Sequence, residues 1–111
     1  MRINILGDRS ATEASAAQFT AEFYDNAWAT TTPTSIRYRV DDVRSGAELA
    51  GWTAVTPATS VTITVTAAQN AIVDDVNNTE RRLLTVQADN ALASQVTAAF
   101  VFELINLRSV S

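Results

Sequence analysis

The sequence predicts an all-β protein: a single antiparallel β-sandwich of six to seven strands behind an extended N-terminal arm. Three observations predict it. Apolar and polar residues alternate at period two in SIRYRVDDV, SVTITVT and SQVTAAFVFELINL, as they do in strands with one buried face. Turn-forming clusters separate these runs, with no linker, repeat or composition break between them. Thr and Val are abundant, while the 111 residues include only three Gly and two Pro, a balance that suits pleated, half-buried surfaces.

Each element follows in order. Met1 to Ser15 reads as the arm, and residues 16–111 as the sandwich domain. Within the arm, Ile3, Ile5 and Leu6 are apolar and GDRSATEAS is small and polar. An apolar terminal strand is unfavourable unless it docks on its own sheet or on a neighbour's edge, and both remain open at this point. Ala17 to Asp25 places Ala17, Phe19, Ala21 and Phe23 on one face at period two. A helix joining Ala16, Phe19 and Phe23 competes; the adjacent Phe23-Tyr24 pair and the strand nearby favour a strand. Asn26 to Thr34 is a turn, with Asp25-Asn26 as initiators and Pro33 ahead of the next strand.

Ser35 to Val43 turns Ile36, Tyr38 and Val40 inward and Arg37 and Arg39 outward. Arg44-Ser45-Gly46 supplies a turn, Glu48 to Val55 a weaker strand with Trp52 as the expected core filler, and Thr56-Pro57 ends it. In the next strand Val61, Ile63, Val65 and Ala67 oppose Thr62, Thr64 and Thr66. AAQNAIV reads as a short helical turn before the polar loop DDVNNT. Glu80 to Ala88, an Asp89-Asn90 turn, and Ser94 to Leu107 form a hairpin, the last strand alternating at Val96, Ala98, Phe100, Phe102 and Leu104. Short strands spaced by turns over this length suggest an immunoglobulin-like sandwich.

Composition narrows function by exclusion. The chain has no Cys and no His, and all eight basic residues are Arg. Disulfides, thiolate chemistry, imidazole bases and ligands, and lysine Schiff bases are therefore out of reach. Carboxylates, hydroxyls, two Tyr and Arg remain, and the expectation is a protein that is not an enzyme. A net charge of −4 opposes nucleic-acid binding, which normally uses a basic stripe. No apolar run approaches the ~18 residues of a membrane span, and INIL is too short for a signal peptide. The expectation is a cytoplasmic product with no membrane partner, whose NNT sequon at Asn77 to Thr79 stays unmodified.

Candidate sites have bland counterparts. Asp41 and Asp42 are neighbours on a strand and point to opposite faces, so they cannot share a proton; they are expected to close the strand. The stretch Asp74 to Glu80 is rich in the oxygen ligands that Ca²⁺ takes, yet lacks the glycine-containing loop pattern; a solvated loop with no metal is the expectation, and no cofactor is expected elsewhere. Arg37, Arg39 and Arg81 could hold an anion, but pairing with surface carboxylates is favoured. The Thr62/Thr64/Thr66 ladder could meet ice or carbohydrate; only one strand carries it, and Trp28 is the sole candidate for an aromatic platform. Ile3, Ile5 and Leu6 on the arm, with Trp28 on its turn, make up the candidate partner interface.

With these elements placed, FTAEFYDN, TPTSIRYRVDD, GWTAVTPATSVTITVTAAQN, ERRLLTVQADN and AAFVFELINL together resemble the small immunoglobulin-like structural proteins of tailed bacteriophages, of head decoration, neck or tail accessory type. The resemblance spans Phe19 to Leu107 and is carried chiefly by Pro33 to Asp42 and Glu80 to Ala88. It implies a virion protein, made in the bacterial host cytoplasm, that docks on other virion proteins (major capsid, neck or tail) as a homo-oligomer or in many copies. The leading expectation is a capsid decoration or stabilising subunit on the head shell. A neck or tail accessory protein is the alternative, and a small carbohydrate- or host-surface-binding module is the alternative of another class.

Overall fold

The computed structural model describes residues 1–7, 10–12, 16–25, 27–66, 79–90 and 93–105. Among these residues, eight strands run in the order β1 (Arg2–Gly7), β2 (Ser10–Thr12), β3 (Ala17–Tyr24), β4 (Ser35–Asp42), β5 (Glu48–Val55), β6 (Ser60–Val65), β7 (Thr79–Asn90) and β8 (Ala93–Ile105). They form a three-stranded sheet, β1-β3-β6, and a five-stranded sheet, β2-β8-β7-β4-β5. All pairings are antiparallel except the short β2–β8 ladder, which is parallel. The result is an immunoglobulin-like β-sandwich. All six strands expected after the arm are present, and Ala17–Tyr24 is a strand rather than a helix.

The inner faces follow the pleat. Ala17, Phe19, Ala21 and Phe23 of β3 and Val61, Ile63 and Val65 of β6 are buried from one side. Ile36, Val40, Ala50, Leu84, Val86, Ala88, Phe102 and Leu104 are buried from the other. Phe19 spans the interlayer space, its ring centroid 4.9 Å from Phe102 and 5.5 Å from Phe100 with tilted planes, the offset geometry that aromatic quadrupoles favour.

Three expectations are corrected. The first concerns the extended arm. Arg2–Gly7 pairs along its whole length with Gly7↔Phe19 through Arg2↔Tyr24, and Ser10–Thr12 pairs with β8 in the other sheet. The N-terminal segment is thus two strands that change sheets, with Ile3 and Ile5 packed against the core. Their alternation with outward Arg2, Asn4 and Leu6 makes docking on the chain's own sheet the way to cover them. Gly7 sits where a Cβ would run into the Phe19 ring and come within 3.1 Å of the Gln18 carbonyl oxygen. Removing Met1 to Gly7 would therefore strip the core rather than free a tether.

The second correction is Trp52, which is not core; it is 39% exposed. Tyr38 pairs with Thr53, but Val40 pairs with Ala50, so Gly51 and Trp52 together oppose Arg39. This bulge adds one residue and reverses the alternation. Ala50 therefore points in and Trp52 points out.

The third is the turn of the last hairpin; β7 and β8 themselves pair antiparallel as expected. The β7 ladder continues through Asn90, past the expected Asp89-Asn90 turn. Asp89 instead anchors the start of β4: its carbonyl accepts from the Thr34 amide (2.8 Å) and hydroxyl (2.9 Å), and its carboxylate accepts from the Ser35 hydroxyl (3.0 Å). The expected helical turn over residues 67–73 and the candidate calcium ligands at 74–78 lie outside the described residues.

One end of the core is ionic. Arg82 is fully buried, its Nη1 donating to Asp42 Oδ1 at 2.5 Å and its Nη2 to Glu80 Oε1 at 2.9 Å. The residues meet because Asp42 opposes Arg82 in the β4–β7 register, and Glu80 lies two residues along on the same face. Asp42 does close its strand, as expected. Its Oδ2 accepts from the Ser45 amide (2.9 Å) and hydroxyl (2.6 Å), and its carbonyl accepts from the Gly46 amide (2.9 Å). Gly46 takes a φ of 73°, which a glycine adopts without steric cost. Burial pushes the Asp42 carboxyl pKa up, but the Ser45 hydroxyl and amide and the Arg82 guanidinium outweigh it and hold it below its ordinary value.

Two predictions follow from this end of the sandwich. Arg82→Ala leaves two buried carboxylates facing each other and should cost about 3–5 kcal/mol in chemical denaturation. Because the folded pKa of Asp42 is lowered, its contribution is present above the unfolded value near ~3.9 and is lost as pH falls through the folded value. Ser45→Ala should therefore cost about 1.5–3 kcal/mol at neutral pH, and denaturation at a series of acidic pH values should show that difference shrinking below about pH 4.

Candidate functional site

Among the described residues, Trp28 is the most exposed large hydrophobic side chain. The residue is 61% exposed, and its backbone stands at a φ of 64°, which bulky L-residues rarely adopt. The loop is built to hold it there. Asp25 Oδ1 accepts from the amides of Ala27 (2.8 Å) and Ala29 (3.0 Å), a local turn that short acidic side chains readily form. The Trp28 amide donates to the Asp25 carbonyl (3.1 Å), and the Asp25 amide donates to the Ala29 carbonyl (2.8 Å). Asp25 therefore initiates the turn as the sequence suggested.

The side chain rests on two neighbours. The Arg2 guanidinium carbon lies 4.2 Å from the Trp28 ring centroid, and the Tyr24 ring lies 5.9 Å away at 55°. Arg2 and Tyr24 are register partners at the end of the β1–β3 ladder, so the sheet itself places the cation and the phenol beneath the indole. Partial desolvation, and behind it the Glu22 carboxylate, raises the Tyr24 pKa above its ordinary value. Strain of this kind persists only where surrounding structure over-determines it, and it clusters at binding sites.

From this corner the outer face of the three-stranded sheet extends along the strands. Asn4 donates to Glu22 at 3.3 Å. The next row sets Leu6 against Thr20 and Thr20 against Thr62, with Leu6 49% exposed. The hydroxyl ladder of β6 thus gains Thr20 from the neighbouring strand, a juxtaposition that alternation within one strand could not show.

Of the four candidate interface residues, Ile3 and Ile5 face the core, whereas Leu6 and Trp28 are exposed on the outer side. Leu6 and Trp28 lie toward opposite ends of β1 and do not touch. Arg2 and Tyr24, which do touch Trp28, escaped the sequence reading. Arg2 was nevertheless legible as the outward neighbour of Ile3.

The other outer face carries a second aromatic and cationic stack. Arg37 and Arg39 lie 4.3 Å and 5.5 Å from the Trp52 ring centroid. Arg39 also grips Asp41 through Nε (2.9 Å) and Nη2 (2.7 Å), and Arg37 donates to Gln87 at 2.8 Å. With Arg81 set 3.9 Å from Glu103, these arginines pair across the sheet surface rather than pool as an anion site. Among the described residues, no cluster of carboxylates is arranged to hold a metal ion.

The geometry defines a class, an immunoglobulin-like β-sandwich presenting a strained aromatic corner at one end of its smaller sheet. No protein-family model matches the sequence, and no curated protein matches it. Among solved structures, the fold is similar to that of the periplasmic chaperone SfaE, with a TM-score of 0.62 at 10% sequence identity. The similarity covers 95% of this chain and 57% of that protein, so the chain spans little more than half its length, and the likeness concerns the fold alone.

The strain at Trp28 makes a counterintuitive prediction. Gly accepts a φ of 64° freely, whereas an L-residue there costs about 1–2 kcal/mol; the exposed cation–π contact returns only about 0.5–1 kcal/mol. Trp28→Gly should leave the thermal midpoint unchanged or raise it, as read by circular dichroism, and a clear drop would show that the ring holds the fold together.

Proposed function

We propose that this chain is a non-enzymatic virion structural protein of a tailed phage, serving as a decoration subunit that stabilises the head shell. Trp28 is the observation that carries the contact half of this reading. An exposed indole, held at a costly backbone angle by four hydrogen bonds and backed by Arg2 and Tyr24, is a preorganised anchor of the type that concentrates binding energy at protein interfaces. Support for the virion setting comes from the resemblance over Phe19 to Leu107. The carboxylates of Asp41, Asp42, Glu48, Glu80 and Glu103 all sit in ion pairs with arginine, roles that serve sheet architecture.

Such a protein acts by shape. Each docked copy contributes a modest contact, and the regular array of sites on a shell makes the sum strong.

The test uses heads and tails from a phage carrying the gene but lacking the protein. Purified chain should cosediment with heads. Trp28→Ala should weaken that binding by at least about tenfold while keeping its circular dichroism spectrum. Binding to tails alone would transfer the protein to a neck or tail role. Equal binding by Trp28→Ala would remove the corner from the interface, and binding to glycans alone would favour the ligand module.

A further inference from the structure

The four sheet edges differ in how they discourage pairing with another chain. Edge strands are normally guarded by charge, bulges or brevity. Strand β2 has three residues, β5 carries Glu48 and the Gly51-Trp52 bulge, and β1 carries Arg2. Strand β6, SVTITV, has no charge, no bulge, no Gly and no Pro, and among the described residues it pairs with β3 alone.

The orientation of its backbone can be read from one bond. The Phe23 amide donates to the Thr59 carbonyl at 3.0 Å, and the register continues through Ala21↔Val61 and Phe19↔Ile63. Hydrogen-bonded pairs alternate along an antiparallel ladder. The amides and carbonyls of Val61, Ile63 and Val65 therefore turn toward β3, and those of Thr62 and Thr64 turn to the other side, which is unpaired among the described residues.

The sequence of that edge is symmetric. Val61-Thr62-Ile63-Thr64-Val65 reads the same in both directions. We propose that β6 is a self-association edge, along which a second copy of this chain pairs antiparallel about a two-fold axis at Ile63. The two three-stranded sheets then become one six-stranded sheet. Thr62 of each copy hydrogen-bonds through its backbone with Thr64 of the other, Val61 faces Val65, and Ile63 faces its own counterpart. Inward residues meet inward residues and outward meet outward, so both cores continue across the seam without a register conflict. Cross-strand Thr–Thr pairs add their own stabilisation, and the contact is isologous and closes at two copies. This inference stands apart from the virion reading and from the Trp28 corner, which lies on the opposite edge strand's side of the sheet.

Sedimentation of the full chain up to roughly 100 µM should show twice the mass of one chain. Thr62→Pro deletes an amide directed at the seam, at an edge position where proline is tolerated. Thr64→Lys places two positive charges beside the two-fold axis. Each variant should sediment at the mass of one chain with an unchanged circular dichroism spectrum. If Thr62→Pro disturbs the fold, Thr64→Lys decides, because Thr64 is exposed and keeps its backbone. The protein has no native cysteine; an equimolar mixture of Thr62→Cys and Thr64→Cys chains should oxidise to a covalent heterodimer, since opposed residues in a hydrogen-bonded pair stand about 5.5 Å apart. A wild-type chain of single mass at every concentration overturns the proposal. So does a dimer that both edge variants leave intact.

Discussion

The contact of Phe19 with Phe100 and Phe102 is the interaction on which the rest of the molecule depends. Phe19 belongs to the smaller sheet and its two partners to the larger. No backbone hydrogen bond of a β-ladder can join two stacked sheets, so apolar side chains must. The same ring sets the path of the N-terminus. Gly7 opposes Phe19 in the ladder and has no side chain to meet the ring. The chain can therefore leave the small sheet there and add β2 to the large one. Covering the inner face of β3 and closing the N-terminal edge are one packing problem.

The two ends of β4 show how polar groups serve that same geometry. At its start Ser35 and Thr34 are tied to Asp89 of β7; at its finish Asp42 is tied to Arg82 of β7 and to Ser45 in the turn. A slip of one residue would turn Arg82 to the surface and bring an outward residue into the core. The buried guanidinium and carboxylates contribute to register more plainly than to net stability, since desolvation consumes much of their attraction. On the outside, the Arg37, Trp52 and Arg39 stack covers a bulge in the β5 edge, leaving that edge poorly suited to further pairing. The surfaces offered outward are instead the Trp28 corner and the edge of β6. In the proposed roles, one would supply a rigid aromatic anchor for a partner and the other a line of backbone groups for a second copy, at separate places.

Much of this was legible along the chain. The period-two runs placed six strands and nearly all of the buried face, because alternation is a local property of the pleat. Even the ionic cluster was encoded: Asp42 continues the inward series of Ile36 and Val40, and Arg82 the series of Leu84, Val86 and Ala88. It went unread because charge at an inward position suggests the end of a strand until its partners are known. Trp52 was misplaced for a different reason. A bulge is a property of two paired strands, and nothing within ELAGWTAV marks which residue is the extra one.

By itself, then, the sequence determined the all-β class, the six strands from Ala17 onward, most of the faces they bury and the residues able to do chemistry. These follow from side-chain size, polarity and spacing, which are written along the chain. Tertiary structure alone decided that the N-terminal segment becomes two strands of its own sandwich. It also decided that Arg2 and Tyr24 lie beneath Trp28, that Thr20 joins the hydroxyl ladder, and that β6 is left as an edge among the described residues. Those outcomes depend on which strand lies beside which. Pairing is a choice among many partners of similar local character, and it is settled only when the whole core closes.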